Sequence, residues 1–171
     1  KAVAQAAWPD RPIRVIVPFA AGGNADTIAR LLQPRLQEKL GQPVVVENRP
    51  GAGGGVGADA VAHARPDGYT LLIGSNGPLS VNPVVQAHLP YDAAKDFAPI
   101  AMAMQVPHCL VVQPNSPYRT VSDVVEASKR TADGIGIGTA GVASATHLSL
   151  EAFKARTGAN LLHVPYRGGG A

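Results

Sequence analysis

Small polar side chains recur in this sequence beside glycine-rich loops that precede predicted helices. They are hydroxyl and amide groups, at Asn24, Ser75, Asn76, Thr139, Ser144 and Thr146. The backbone N–H groups in the first turn of a helix lack an intrahelical partner and carry partial positive charge. Such helix ends attract a carboxylate or a phosphate without a lysine. The residues therefore favour the binding of a small anion.

The first of these loops joins a predicted strand to a predicted helix. The β-branched run Ile13–Val17 stops at Pro18, and the glycine loop that follows leads to apolar residues at helical spacing as far as Leu40. We expect this helix to end at Gly41, which suits a left-handed C-terminal residue, and to kink at Pro34.

The same order of strand, glycine loop and helix is predicted again further along the chain. A strand at 44–47 leads through a glycine loop at 48–55 to a helix at 56–64, and a third strand at 69–73 runs into a loop at 74–77. Repeats of this kind imply parallel strands with right-handed crossovers and an α/β fold. Ligands of such sheets bind at the carboxyl ends of the strands.

The second part of the chain resumes the α/β pattern after a proline-rich interruption at 78–107. We expect a connecting strand near 100–104 and a lobe boundary there, which gives a first α/β lobe at 8–105 and a second at 106–171. The predicted elements of the second lobe are strands at 110–112, 134–138 and 161–164 and helices at 121–131, with Thr120 as N-cap, and at 144–157.

A dinucleotide-binding enzyme is the alternative from another functional class. Residues Gly136 to Gly141 match the pattern G-x-G-x-x-G between a predicted strand and a predicted helix. However, the next predicted strand runs into Tyr166 and Arg167, so no acidic residue is placed to bind a ribose hydroxyl. There is also no P-loop, because no Gly-Lys-Ser/Thr follows a glycine loop.

Other catalytic and metal-binding patterns are missing from the sequence. The five histidines show no paired ligand spacing, and there is no G-x-S-x-G nucleophile elbow. Asp26 falls in the first helical turn, where capping the helix dipole is favoured over catalysis. Apart from the glycine pattern at 136–141, the residues therefore predict no catalytic site, no metal site and no cofactor.

Composition and charge exclude further classes. The 171 residues are 46% hydrophobic and 16% charged, which is typical of a globular protein. The net charge of +3 comes from scattered basic residues, so no nucleic-acid site is predicted. Cys109 is the only cysteine, which excludes an intrachain disulfide, and no run of about 18 apolar residues could insert into a membrane.

The first seven residues carry a possible processing pattern. Residues 1–7 contain Ala4-Gln5-Ala6, a small-x-small sequence of the kind that signal peptidase reads, just before a polar segment. We interpret them as the tail of a trimmed export signal, with a disordered end or a tag remnant as alternatives.

Several separated motifs carry a family likeness that covers residues 8–171. They are WPDRPIR at 8–14, VPFAAGG at 17–23, VENRPGAGG at 46–54, RPDGYTLL at 65–72, YD at 91–92, DFAPI at 96–100 and VPYRG at 164–168. In this order they closely resemble the Bug-type periplasmic solute-binding proteins of tripartite tricarboxylate transporters. The resemblance implies a two-lobed α/β fold like that of the type II periplasmic binding proteins. It also implies a periplasmic receptor, not an enzyme, that closes on a small carboxylate and delivers it to membrane transporter subunits.

The resemblance also implies which residues line the cleft. For the first lobe they are Phe19, Ala21, Gly22, Gly23, Asn24, Asp26, Ser75, Asn76 and Gly77, and for the second lobe Thr139, Gly141, Ser144, His147 and Tyr166. Arg167 is a possible charged partner for the ligand, but an arginine beside three glycines is more often solvent-facing. A receptor of this family needs roughly twice this length, so we also expect a second lobe, and a return to the first, that are incomplete in this chain.

Overall fold

A computed structural model describes residues 8–168, and the predicted signal tail at 1–7 lies outside the described residues. Three strands form a first parallel sheet in the order β2-β1-β3: β1 (Ile13–Val17), β2 (Val44–Asn48) and β3 (Thr70–Leu72). The central strand β1 is buried along most of its length, as expected for a parallel sheet that helices cover. The α/β class predicted from the sequence is confirmed.

Helix α1 (Asn24–Leu40) connects β1 to β2 and buries Ala29 against the sheet residues Val15 and Val17. The helix ends at Gly41, whose φ of 65° is left-handed, as predicted. Pro34 lies within this helix, which continues through it from Asn24 to Leu40.

The second crossover is short and rich in glycine. A 3₁₀ turn (Ala52–Gly54) leads directly into α2 (Gly55–Ala62), and β3 follows. After β3 the chain makes a π-helical turn (Gly77–Val81) that continues into α3 (Asn82–Val85). Asn82 is fully buried and its side-chain amide donates to the carbonyl of Ala52 at 3.0 Å, which ties this helical turn to the glycine loop.

The strands predicted near 100–104 and at 110–112 are wrong. The structure has no helix or strand from residue 98 to 113, and the exposed fractions of Ile100 and Val111 are both 81%. A strand is stabilised by backbone pairing and by burial of its side chains. Among the described residues this segment has no strand partner and its side chains are exposed. Its β-branched residues are therefore not sufficient to form a strand.

A second α/β unit follows this extended segment. It contains α4 (Val121–Arg130), β4 (Ile135–Thr139), α5 (Ala145–Thr157) and β5 (Leu161–Pro165), with β4 and β5 parallel. Thr120 caps α4 in a capping box with Asp123, as its sequence position predicts. Val124, Leu150, Ala159 and Leu161 form a separate small core. None of the helices within residues 8–168 is long and apolar enough to cross a membrane.

Candidate functional site

A cavity of about 250 Å³ lies where the two α/β units meet. Four segments line it, each at the carboxyl end of a different strand: Phe19 after β1, residues 51–54 after β2, residues 140–142 after β4 and residues 165–167 at the end of β5. Parallel α/β sheets place their ligands at this edge. The volume is below the roughly 300–1,000 Å³ of pockets for drug-sized molecules, so the cavity suits a small ligand.

Close backbone contacts join the two walls of the cavity. A Cβ on Gly53 would lie 2.3 Å from the carbonyl oxygen of Val142, and a Cβ on Gly77 would lie 3.3 Å from that of Ala143. The backbone N–H of Ala20 also donates to the carbonyl of Arg167 at 3.2 Å, from one unit to the other. Glycine is required where the walls meet, because a side chain would separate them.

The two helices of the first unit that begin near the cavity have no side-chain cap. Their N-cap residues are Gly23 for α1 and Gly54 for α2, and neither makes a side-chain capping bond. Gly54 itself lines the cavity. An anion in the cavity would lie close to this partially positive helix end.

Asp26 fixes the loop that precedes α1. Its side chain is buried and accepts hydrogen bonds of 2.9 Å from the N–H of Gly22, from Nε of Arg30 and from Nδ2 of Asn48. The bond from Arg30, with those from Gly22 and Asn48, lowers the pKa of Asp26 to about 2, against the opposing effect of burial. The carboxylate is therefore occupied with holding loop and strand ends together.

Ser75 follows β3 at the same edge of the sheet. Its Oγ atom is buried and has no hydrogen-bond partner among the described residues. A buried hydroxyl without a partner destabilises a protein, and a ligand oxygen nearby would satisfy it. The next two residues differ, since Asn76 is exposed and Gly77 is buried against Gly53 and Ala143.

The second wall is shaped by hydrogen bonds within its own loop. Ser144 caps α5 by accepting from the N–H of His147, and Thr146 Oγ1 accepts from the N–H of Ala140 at 2.9 Å. Ala143 takes a φ of 59°, which is unusual for a residue with a side chain. The bonds within the loop hold this conformation.

The structure places the predicted site residues in different environments. Phe19, Gly141 and Tyr166 line the cavity. Gly23, Asp26, Gly77, Thr139 and Ser144 are buried in the surrounding framework, Ser75 and His147 are half-buried, and Ala21, Gly22, Asn24 and Asn76 are exposed. Of the other lining residues, Ala140 and Val142 lie between the predicted Thr139 and Ser144, and residues 51–54 belong to the glycine loop expected after β2. Pro165 was not predicted.

Arg167 is the one charged residue among those of residues 8–168 that line the cavity. The expectation that it faces solvent was incomplete, because the residue is exposed but also borders the cavity. Its place follows from β5, which ends two residues earlier at the edge where the other loops converge.

The glycine pattern at 136–141 does not have the geometry of a dinucleotide-binding loop. Gly136 and Gly138 lie within β4, and Gly141 alone of the three lies in the loop. A pyrophosphate site needs these glycines in the turn between strand and helix. In residues 8–168 there is also no group of three His, Cys, Asp or Glu residues that could hold a metal ion.

A larger, open pocket of about 380 Å³ lies at the opposite edge of the first sheet, where β1 begins. Its charged groups are largely engaged: Arg11 pairs with Asp67 at 2.7 Å and covers the ring of Tyr69, and Arg14 pairs with Glu47 at 2.7 Å. No glycine loop or helix N-terminus converges there. We therefore place the candidate site in the smaller cavity.

Two α/β units that meet across a cavity at the carboxyl ends of their strands form an arrangement suited to binding a small ligand between them. The family model for the tripartite tricarboxylate transporter family receptor matches residues 28–171. The chain belongs to this family, which is one of receptors rather than enzymes.

Named relatives and solved structures agree with this assignment. Protein BugT of Bordetella pertussis is 41% identical over 164 residues, 95% of this chain and 50% of that protein. An R. palustris protein solved with adipate has a TM-score of 0.89 at 38% identity, over 94% of this chain and 54% of that one. MatC from Rhodopseudomonas palustris with bound malate has a TM-score of 0.88 at 34% identity, over 95% and 55%. The chain thus spans about half the length of these relatives.

Proposed function

We propose that this chain forms much of the cleft of an exported, periplasmic receptor that binds a small organic acid and delivers it to membrane transporter subunits. The position of Arg167 beside the cavity is the observation that supports a carboxylate ligand, because a guanidinium can bind both oxygens of a carboxylate. The relatives solved with adipate and malate support a dicarboxylate as the ligand.

The other described residues that line the cavity are uncharged and can still contribute to binding. Glycine backbone at 51–54 and the N-terminus of α2 offer N–H donors to anionic oxygens. Phe19 and Tyr166 supply aromatic surface for the hydrocarbon part of an organic acid. This combination suits a short chain with a carboxylate at one or both ends.

Isothermal titration calorimetry with a panel of mono-, di- and tricarboxylates tests the proposal. We expect at least one acid to bind, and its uncharged diamide analogue to bind far more weakly. At about 100 times its dissociation constant, a ligand should also add about 2.7 kcal/mol to the free energy of unfolding. Binding of NAD(P) with no binding of any acid would contradict the proposal and favour the enzyme alternative.

Replacing Ser75 with alanine is expected to have opposite effects on stability and on binding. The variant removes a buried hydroxyl without a partner, so the ligand-free protein should gain up to about 1 kcal/mol in the free energy of unfolding. Carboxylate binding should weaken by about 0.5–1.5 kcal/mol, because the ligand loses one donor. Ser80→Ala, at an exposed serine in the following turn, is the control. A Ser75→Ala variant that binds normally would remove Ser75 from the site.

A further inference from the structure

Two histidines behind the second wall of the cavity stack face to face. The ring centroids of His147 on α5 and His163 on β5 are 3.8 Å apart, with an angle of 7° between the rings. Each ring is bonded to the wall. His147 Nδ1 accepts from the N–H of Ala143 at 3.1 Å, and His163 Nε2 lies 2.7 Å from the hydroxyl of Thr139. The pair therefore supports both ends of the loop at 140–143.

The bond from Ala143 determines where His147 carries its proton. A backbone N–H only donates, so Nδ1 of His147 must be unprotonated and the ring proton must be on Nε2. A second proton would have to add to Nδ1, where it would face the N–H of Ala143. Protonation of His147 thus breaks the bond that holds Ala143 in its left-handed conformation.

The charged groups around the pair act in opposite directions, since Glu151 raises and Lys154 lowers the pKa of His163. On α5, Glu151 lies 3.8 Å from His147 Nε2, but it also pairs with Lys154 at 3.0 Å, so its charge is shared. On β4 the neighbour is the neutral Thr139, and from the extended segment His108 reaches α5 at Ser149. Burial and then the neighbouring His147 lower the pKa of His163. Two stacked imidazolium rings would repel each other.

We infer that His147 and His163 form a proton-sensitive latch on the second wall of the cleft. With both rings neutral, the latch fixes the loop at 140–143, whose residues Ala140, Gly141 and Val142 line the cavity. Proton uptake on Nδ1 of His147 releases Ala143 and loosens this wall. Its consequence, weaker ligand binding in acid, rests on the proposed function, whereas the latch itself does not.

Nuclear magnetic resonance of the ¹⁵N-labelled full chain tests the latch without any ligand. As the pH is lowered from neutral to acid, the Ala143 amide resonance should change together with the His147 ring resonances. Its hydrogen exchange, corrected for the intrinsic effect of pH, should become roughly tenfold faster in acid, as expected for one lost hydrogen bond. An Ala143 amide that does not respond over this range would overturn the inference.

His147→Asn keeps a hydrogen-bond acceptor for the N–H of Ala143 but removes the ring that can take up a proton. The asparagine Oδ1 can take the place of Nδ1 as acceptor but does not titrate, so Ala143 should stay protected at every pH. His63→Asn is the matched control, because His63 is an exposed histidine at the C-cap of α2, beside Asp59. The Ala143 response should persist in this control. A response that persists in His147→Asn contradicts the latch, and if that variant does not fold, the wild-type titration alone decides.

Discussion

Asp26→Asn is expected to lose about 2 kcal/mol in the free energy of unfolding. The substitution keeps the shape of the side chain but removes the charge that accepts from Gly22, Arg30 and Asn48. Hydrogen bonds to a charged group contribute about 1.5–3 kcal/mol, and a buried donor left unpaired adds a penalty. Urea denaturation near neutral pH measures the difference.

The dependence of this loss on pH has a fixed direction. Because folding lowers the pKa of Asp26 from 3.8 to about 2, the unfolded chain takes up the proton first. The contribution of Asp26 is complete above the unfolded pKa and is lost as pH falls through 3.8 towards about 2. The stabilities of wild type and Asp26→Asn should therefore converge in acid.

Glu38→Gln is the matched control for Asp26→Asn. Glu38 lies on the same helix, but its pair with Arg35 is exposed, so its loss should change stability by less than about 0.5 kcal/mol. Equal effects of the two substitutions at neutral pH would show that Asp26 does not hold the loop as we describe.

Gly53→Ala is expected to prevent the two walls from meeting and to weaken carboxylate binding by at least roughly tenfold, or 1.4 kcal/mol. The new Cβ would lie 2.3 Å from the carbonyl oxygen of Val142, a backbone atom that cannot rotate away. Either the 3₁₀ turn or the loop after β4 must move, and both line the cavity. Calorimetry with the best acid of the panel measures the loss.

Gly41→Ala is the control for Gly53→Ala, because it introduces similar backbone strain without the clash. The φ angles of Gly41 and Gly53 are 65° and 62°, so alanine is similarly strained at both, but a Cβ on Gly41 has no atom within 4 Å. Gly41→Ala should lower stability and leave binding unchanged. Normal binding by Gly53→Ala would mean that the walls do not need to meet at this point.

The regular elements near the glycine loops could be predicted because local residues specify them. The run Ile13–Val17, the left-handed Gly41 and the capping Thr120 each determine a strand or a helix end within a few residues. The extended segment around Ile100 and Val111 could not be predicted correctly, because strand formation depends on a partner and not only on β-branched residues.

The candidate site was harder to predict than the fold. The convergence of strand ends follows from the parallel topology, which places Phe19 at this edge, whereas Gly141 was named through the family resemblance. The loop around Gly53 and Arg167 also follow strand ends, but their meeting across the cavity depends on the relative placement of the two units, which no local pattern encodes. The histidine pair has no sequence signature either, because His147 and His163 meet only when α5 packs on the β4–β5 sheet.

A crystal structure of the protein with the best-binding dicarboxylate tests the central claim most directly. We predict the acid in the cavity of about 250 Å³, with one carboxylate at Arg167 and backbone N–H groups of residues 51–54 within hydrogen-bond distance. An acid bound instead in the pocket beside Arg11 and Arg65 at the opposite edge of the first sheet would contradict the account.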